Sequence, residues 1–331
     1  MNIGFQAARK WSHVILAVSW SLGLGTNRLN AQSVSPGNPS VFGVFAGSSP
    51  SSEAIRALLQ IPADAPSDLI QWRLTLYQDP KNLAPASYQL HCDYGLVTQG
   101  RPGLGSRIKT LDRQGRWTTG KGTRSNPDAI VFELDGAVSL LQVDRNLLHV
   151  LERDRSLMIG TGGWSYTLNR TEAAETPVDP SLAAAAPGMS YTISPVATGP
   201  SVLGVFEGRS PCQGIARQLK HAEDAGCMKA KWRVTLYQNP ETLAPTTCKV
   251  EGSLYRRGAR EGKWSVIRGT ETDPNAIVYR LDPTNTEPAL FLLKGDDNVL
   301  FFLDQNRRPL VGHADFSYTL NRRTSDSPSK P

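Results

Sequence analysis

The sequence predicts an all-β protein built from two tandem copies of one small barrel-like or sandwich-like domain, with one short helix in each copy. Three observations predict this fold class: a long internal repeat, short runs of alternating apolar and polar residues, and connecting segments rich in Gly, Pro, Asn and Asp. A chain of 331 residues is long for a single hydrophobic core and suits two domains of ordinary size.

The internal repeat consists of four matched blocks that occur in the same order in both halves of the chain. The repeat period is far too long for a solenoid, so each copy is expected to fold as a domain. The matched pairs are Ser40–Phe45 with Ser201–Phe206, Trp72–Gln78 with Trp232–Gln238, Pro127–Val131 with Pro274–Val278, and Ser165–Arg170 with Ser317–Arg322, of which the last pair is identical.

Strands dominate each copy because apolar residues recur at every second position. In the run that begins at Trp72, Leu74 and Leu76 share its face, while Arg73 and Tyr77 fall on the other face. Counting such runs predicts about eight strands in each copy, and closing them into a barrel would remove exposed strand edges. One short helix is expected after the first strand, which in the second copy places it near residues 211–220.

These patterns divide the chain into six segments. Residues 1–31 are predicted to be a signal peptide and residues 32–39 a short extension. The two repeated domains are expected at 40–170 and 201–323, and the Ala-, Pro- and Thr-rich stretch 171–200 between them is expected to be a linker. The tail 324–331 is expected to be disordered.

The leader has the features of a secretory signal. Arg9 and Lys10 precede the apolar run Val14–Leu24, and cleavage is expected after Ala31. The alternative is a retained anchor, but this run is well short of the roughly 20 residues that span a bilayer. With no cysteine near the cut to carry a lipid, we expect an exported periplasmic or extracellular protein that is not a lipoprotein and is not stably inserted in a membrane.

The charge distribution does not favour nucleic acid as a partner. The net charge of +6 includes three cations of the leader, so cleavage would lower it to +3. The remaining Lys and Arg are interspersed with acids, whereas a phosphate-binding surface usually needs a clustered basic face.

One run in the second copy resembles a known family. Residues 204–215 match the opening of the N-terminal domain of NlpE-type copper-resistance and surface-sensing lipoproteins, which has a Gly-aromatic-x-Gly strand, a Pro-Cys and a short helix. The segments Gly262–Trp264 and Asn298–Pro309 are similar to later strands of that domain. The resemblance implies two small lipocalin-like β-barrels in the bacterial envelope and a link to copper or envelope stress. This chain has Ile215 where the family often has a second cysteine.

The four cysteines suggest one disulfide. Cys212 and Cys227 are both replaced by serine at the matching positions of the first copy, and a joint gain or loss of two cysteines is what a disulfide predicts. The alternative is a metal site made of these two thiolates and His221. Cys92 and Cys248 are expected to be free core thiols, with a bridge between the domains as the alternative.

Other candidate sites are few. The recurring residues Arg73, Tyr77, Arg233 and Tyr237 either line a ligand cavity or form the polar face of a strand whose Trp face is buried. The pattern contains no nucleophile elbow, phosphate loop or pair of acids suited to acid–base catalysis, so no catalytic residue, metal site or cofactor is predicted.

Three functions remain open from the sequence. The favoured one is a non-enzymatic cell-envelope binding or sensing protein of NlpE-like type, with an envelope protein as its partner. The second is a lipocalin-like carrier of a small apolar ligand, and the third is an enzyme. A cavity lined by apolar residues inside a barrel would favour the carrier, whereas a filled core with an exposed apolar patch would favour the binding or sensing protein.

Overall fold

The computed structural model describes residues 39–98, 103–105, 107–174, 196–222, 226–255, 258–283 and 287–323. The predicted signal peptide, most of the predicted linker and the predicted tail lie outside these residues, as does part of the glycine-rich loop around residue 100. Among the residues described, no helix combines the length and the apolarity needed to cross a membrane.

The first copy forms a closed antiparallel barrel of eight strands in sequence order, with the last strand paired to the first. Helix α1 (Glu53–Leu59) follows the first strand. The strands are β1 (Ser40–Pro50), β2 (Leu69–Gln78), β3 (Pro85–Gly95), β4 (Lys109–Lys121), β5 (Ile130–Leu134), β6 (Val138–Gln142), β7 (Leu147–Val150) and β8 (Thr167–Arg170).

The second copy repeats this architecture, and helix α2 (Gln213–Gln218) again follows the first strand. Its strands are β9 (Val202–Ser210), β10 (Ala230–Gln238), β11 (Pro245–Gly252), β12 (Arg260–Arg268), β13 (Ile277–Asp282), β14 (Leu290–Lys294), β15 (Val299–Leu303) and β16 (Thr319–Arg322). The predicted fold class, two tandem all-β barrels with one short helix each, is confirmed.

Large side chains fill the interior of each barrel. Trp72 and its counterpart Trp232 are buried, and each indole N–H donates to a serine hydroxyl at the end of the first strand, Ser49 and Ser210 respectively. The rest of the interior is apolar, so each barrel has its own hydrophobic core. The first core includes Phe45, Leu74, Tyr88, Leu90, Trp117, Phe132, Leu148 and Tyr166.

A guanidinium group closes each barrel where the last strand meets the first. Arg170 lies over the ring of Phe45 at 4.8 Å and donates to the backbone oxygen of Phe42 at 2.8 Å. A methyl group at Gly43 would lie 2.3 Å from Nη1 of Arg170, so a larger residue there would displace this guanidinium. Arg322 and Gly204 repeat the arrangement in the second barrel.

The two barrels belong to one compact unit and share a buried interface, which the sequence analysis does not predict. Its apolar part is a separate cluster on the outer surfaces of both barrels. The imidazole of His149 meets the ring of Phe301, its counterpart in the second copy, edge to face with centroids 5.6 Å apart. The cluster comprises Val131, Leu141, Leu151 and Leu157 from the first barrel and Val299 and Phe301 from the second.

Candidate functional site

The four recurring strand residues lie on the outer faces of the barrels. Arg73 is exposed, and the hydroxyl of Tyr77 donates to the side-chain oxygen of Gln89 at 3.0 Å. Arg233 donates to Glu207 at 2.7 Å. Because these residues alternate with the buried Trp72 and Trp232 series, they form the polar face that was the alternative to a ligand cavity.

Tyr237 completes this set. It is half-buried beside Arg233 on the same strand, and its backbone oxygen accepts from the indole N–H of Trp264 at 2.6 Å. Tyr77 makes the same backbone contact with Trp117 in the first barrel. The backbone at these two positions therefore anchors a core tryptophan in each barrel, a contact that does not depend on the tyrosine side chain.

The cysteines follow the disulfide prediction. Cys212 and Cys227 are bonded, which confirms the predicted pair and ties α2 to the segment before β10. Cys92 and Cys248 are free and buried, as expected. Burial raises the pKa of Cys92 strongly and that of Cys248 to about 11, so neither is a reactive thiolate at neutral pH.

The alternative to the disulfide was a metal site made of two thiolates and His221. Since the two sulfurs are bonded to each other, they are not thiolates and cannot serve as its ligands. The ring of His221 instead meets the ring of Tyr255 with centroids 6.1 Å apart. Within the part of the chain that the structure describes, no three His, Cys, Asp or Glu side chains are grouped closely enough to hold a metal ion.

A groove of about 630 Å³ lies on the first barrel, between α1, the β5–β6 hairpin and the turn that follows β7. Its lining mixes charged, polar and apolar side chains contributed by separate segments of the chain. The lining residues used below are Ala57, Leu58, Gln60, Glu133, Ser139, Leu151, Glu152, Arg153 and Arg155.

The helical wall of this groove is fixed by contacts at both ends of α1. Ser52 accepts a hydrogen bond from the backbone N–H of Ile55 at the start of the helix. At its end, Gln60 adopts a left-handed conformation with φ of 55°, and Arg113 of β4 donates to the oxygens of Leu58 and Leu59. The groove therefore has a rigid wall whose buried face closes the barrel.

The opposite wall carries a fixed ion pair. Arg155 contacts Glu133 with their nitrogen and oxygen 2.5 Å apart, and the hydroxyl of Ser139 donates to the other oxygen of Glu133 at 2.7 Å. Arg155 stands in a left-handed backbone conformation with φ of 67°, which turns its side chain back toward β5. This carboxylate is held by one hydrogen bond and one ion pair and is thus positioned before any ligand arrives.

A second carboxylate in the groove has a different environment. The pKa of Glu152 is raised, first because the side chain is partly buried and then because the charge of Asp154 is close by. An adjoining pocket of about 490 Å³ is shared by Glu152, Asp154 and the apolar residues Ala54, Ala57 and Leu58 of α1. A ligand that placed a cation here would offset the cost of burying the Glu152 carboxylate and its repulsion by Asp154.

The equivalent surface of the second barrel is bridged by hydrogen bonds. Gln305, which replaces Arg153, donates through its side chain to the oxygen of Ala289 at 2.9 Å. Its backbone N–H donates to Gln218, the counterpart of Leu58, also at 2.9 Å. Arg280 replaces Glu133 and pairs with Asp282. Glu133, Leu58 and Arg153 are therefore features of the first barrel only, whereas the charges of Glu152 and Arg155 recur in the second copy as Asp304 and Arg307.

Sequence analysis misses this groove because its residues form no motif. They come from a helix, three strands and two turns, and only barrel closure brings them together. The one available signal is the loss of Glu133, Leu58 and Arg153 in the second copy, where Arg280, Gln218 and Gln305 stand instead.

Comparisons of the chain with family models, with curated proteins and with solved structures find no match. They neither support nor refute the resemblance to NlpE-type lipoproteins.

Proposed function

We propose that this chain is an exported, non-enzymatic binding or sensing protein of the cell envelope, of NlpE-like type, whose first barrel binds its partner in the groove beside α1. The observation that carries the proposal is the groove itself, which joins an apolar floor to fixed charges of both signs on the outside of a filled barrel. The Cys212–Cys227 disulfide is compatible with an oxidising compartment outside the cytosol.

A short peptide segment of an envelope protein fits the chemistry of the groove. The carboxylate of Glu152 suits a basic side chain or an amino group, and the exposed Arg153 beside it suits a carboxylate. The exposed Ala57, beside the largely buried Leu58, lines the same groove and offers contact for an apolar side chain. A small apolar ligand alone would leave both charges without partners, so the carrier function fits the groove less well.

The filled barrel interiors also favour binding on the outside. The tryptophans, phenylalanines and tyrosines of each core occupy the space that a lipocalin-like carrier would leave for its ligand. Copper enters this proposal only as an implication of the family resemblance. Binding of Cu(I) by Cys212 and Cys227 would require reduction of their disulfide.

Site-specific photo-cross-linking in cells tests the proposal. A photoreactive amino acid at Ala57 should form an adduct with one envelope protein, whereas the same group at Arg217, the matching position in the second barrel, should not. The adduct should disappear in a Glu152→Gln, Arg153→Gln variant whose circular dichroism and melting temperature are unchanged. Equal adducts at both positions, or an adduct that survives the double substitution, would contradict a binding site in this groove.

A further inference from the structure

The identical block in the two copies has its explanation in the interface between the barrels. Along Ser165–Arg170 and Ser317–Arg322, the tyrosine and the leucine point into the barrels and are buried there. The serine, the threonine and the asparagine point outward, yet they too are buried in both copies. Short polar side chains on an outer strand face are ordinarily solvated, so a second surface must cover them.

The covering surface is the same block of the other barrel. The hydroxyl of Ser165 lies 2.6 Å from that of Ser317, and the hydroxyl of Thr167 lies 2.9 Å from that of Thr319. Each residue thus contacts its own counterpart. Contact between equivalent residues is the property of an isologous interface, in which one surface patch meets a second copy of itself across a two-fold axis.

A reciprocal pair of asparagine contacts extends the symmetry. Asn169 accepts a hydrogen bond from the backbone N–H of Gly312 at 2.8 Å, and Asn321 accepts one from the backbone N–H of Gly160 at 2.7 Å. The two glycines are counterparts as well. At both of them an added methyl group would lie within 2.3 Å of a backbone oxygen of the same barrel, Trp164 or Phe316, so the local turn that presents this N–H requires glycine.

We propose that the surface between the barrels is a two-fold homodimer interface retained within one chain, and that it holds the two barrels together without the linker. The partner that this surface fits is a second copy of the same barrel, supplied here by the other half of the chain. The linker raises the local concentration of one barrel around the other but forms none of the paired contacts described above. The self-complementary pairing accounts for the identity of the serine, the threonine and the asparagine of this block in the two copies.

Cleavage of the linker in the otherwise intact protein tests the proposal. A specific protease site placed between residues 180 and 190 should yield two fragments that co-elute from a gel-filtration column as one species of unchanged mass. In the nicked protein, Asn321→Ala should weaken the association about tenfold, since it leaves one backbone N–H of the opposite barrel without its acceptor. Asn169→Ala should weaken it at least as much, because Asn169 also donates to the backbone oxygen of His313. Fragments that separate while both keep their β-sheet signal would overturn the proposal.

A cysteine pair provides a second measurement that does not depend on the solubility of separated fragments. Ser165→Cys with Ser317→Cys should join the two fragments of the nicked chain by a disulfide on a denaturing gel. The control pair Ser87→Cys with Thr247→Cys occupies matching positions on β3 and β11, away from the interface, and should stay reduced under the same oxidation. No bridge at the first pair, or equal bridging at both pairs, would also overturn the proposal.

Discussion

The contacts of His149 at the interface between the barrels determine which of its ring nitrogens carries the proton. Its Nε2 lies 2.9 Å from the backbone oxygen of Met158, which only accepts, so this nitrogen carries the proton. Its Nδ1 therefore accepts from the hydroxyl of Thr167 at 2.9 Å. A consistent chain of donors follows, in which Thr319 donates to Thr167, Ser317 to Thr319 and Ser165 to Ser317, so every hydroxyl of the interface is satisfied.

Acid should destabilise the protein through this histidine. Burial lowers the pKa of His149 from 6.5 to about 4, so the unfolded state binds a proton more readily between these values. The free energy of unfolding is therefore not reduced by His149 above pH 6.5, and it falls as the pH is lowered toward 4. A pKa difference of this size between the folded and the unfolded state corresponds to about 3 kcal/mol in the free energy of unfolding. Urea unfolding at pH 7 and pH 4.5 should show a larger loss for the native chain than for His149→Phe.

The comparison with His149→Phe is needed because the pKa of a second buried histidine, His313, is lowered as well. Burial lowers the pKa of His313, while the nearby Asp315 acts in the opposite direction. The effect of His313 on stability is present in both the native chain and His149→Phe, so it cancels when their losses of stability are compared. An identical loss of stability on acidification in the native chain and in the variant would show that His149 is not the responsible group.

At the scale of strands and helices, much of the fold is predictable from period and composition. Strand β2 alternates buried and accessible residues, and its pattern of Trp, Leu and Leu on one face predicts it directly. Strands β7 and β8 do not alternate in this way, because the other barrel covers their outer faces. Their burial on both sides arises only when the two barrels pack together. The groove also forms only in the folded molecule, so its residues show no pattern in the sequence.

Closure of each barrel should depend on the pairing of glycine with arginine. Gly43→Ala would force the guanidinium of Arg170 out of its position and remove its contacts with Phe42 and Phe45. We expect a loss of about 1 to 3 kcal/mol in the free energy of unfolding, measured by urea titration. Gly204→Ala should have the same effect through Arg322. Gly120→Ala on β4 is the control, because a methyl group there meets nothing closer than 3.7 Å, and an equal loss there would contradict the assignment.

The disulfide should stabilise one element rather than the whole chain. It closes a loop of 15 residues around α2, which corresponds to about 3 kcal/mol in the chain-entropy model. Replacing Cys212 and Cys227 together by alanine should lower the free energy of unfolding by up to this amount.

Thiol titration of the denatured, unreduced native protein should detect two free thiols, Cys92 and Cys248. Four free thiols would show that the bond is absent and would make Cu(I) ligation by these cysteines feasible.

At the scale of the whole molecule, the two copies have diverged in different directions around a shared interface. The second barrel has gained a disulfide and a bridged surface beside α2, whereas the first barrel has an open groove with fixed charges. The interface blocks have not diverged. This distribution is expected if one barrel binds a partner and the other supports it, because both roles require a fixed arrangement of the barrels.

The protection of two backbone amides tests the central claim, that the barrels form one pseudo-symmetric unit, most directly. The N–H groups of Gly160 and Gly312 each donate to an asparagine of the other barrel. Both should exchange with deuterium as slowly as core strand amides such as those of Leu148 and Leu300, and Asn169→Ala should release Gly312 while leaving Gly160 protected. Rapid exchange of both glycine amides in the native chain, with the strand amides still protected, would contradict the claim.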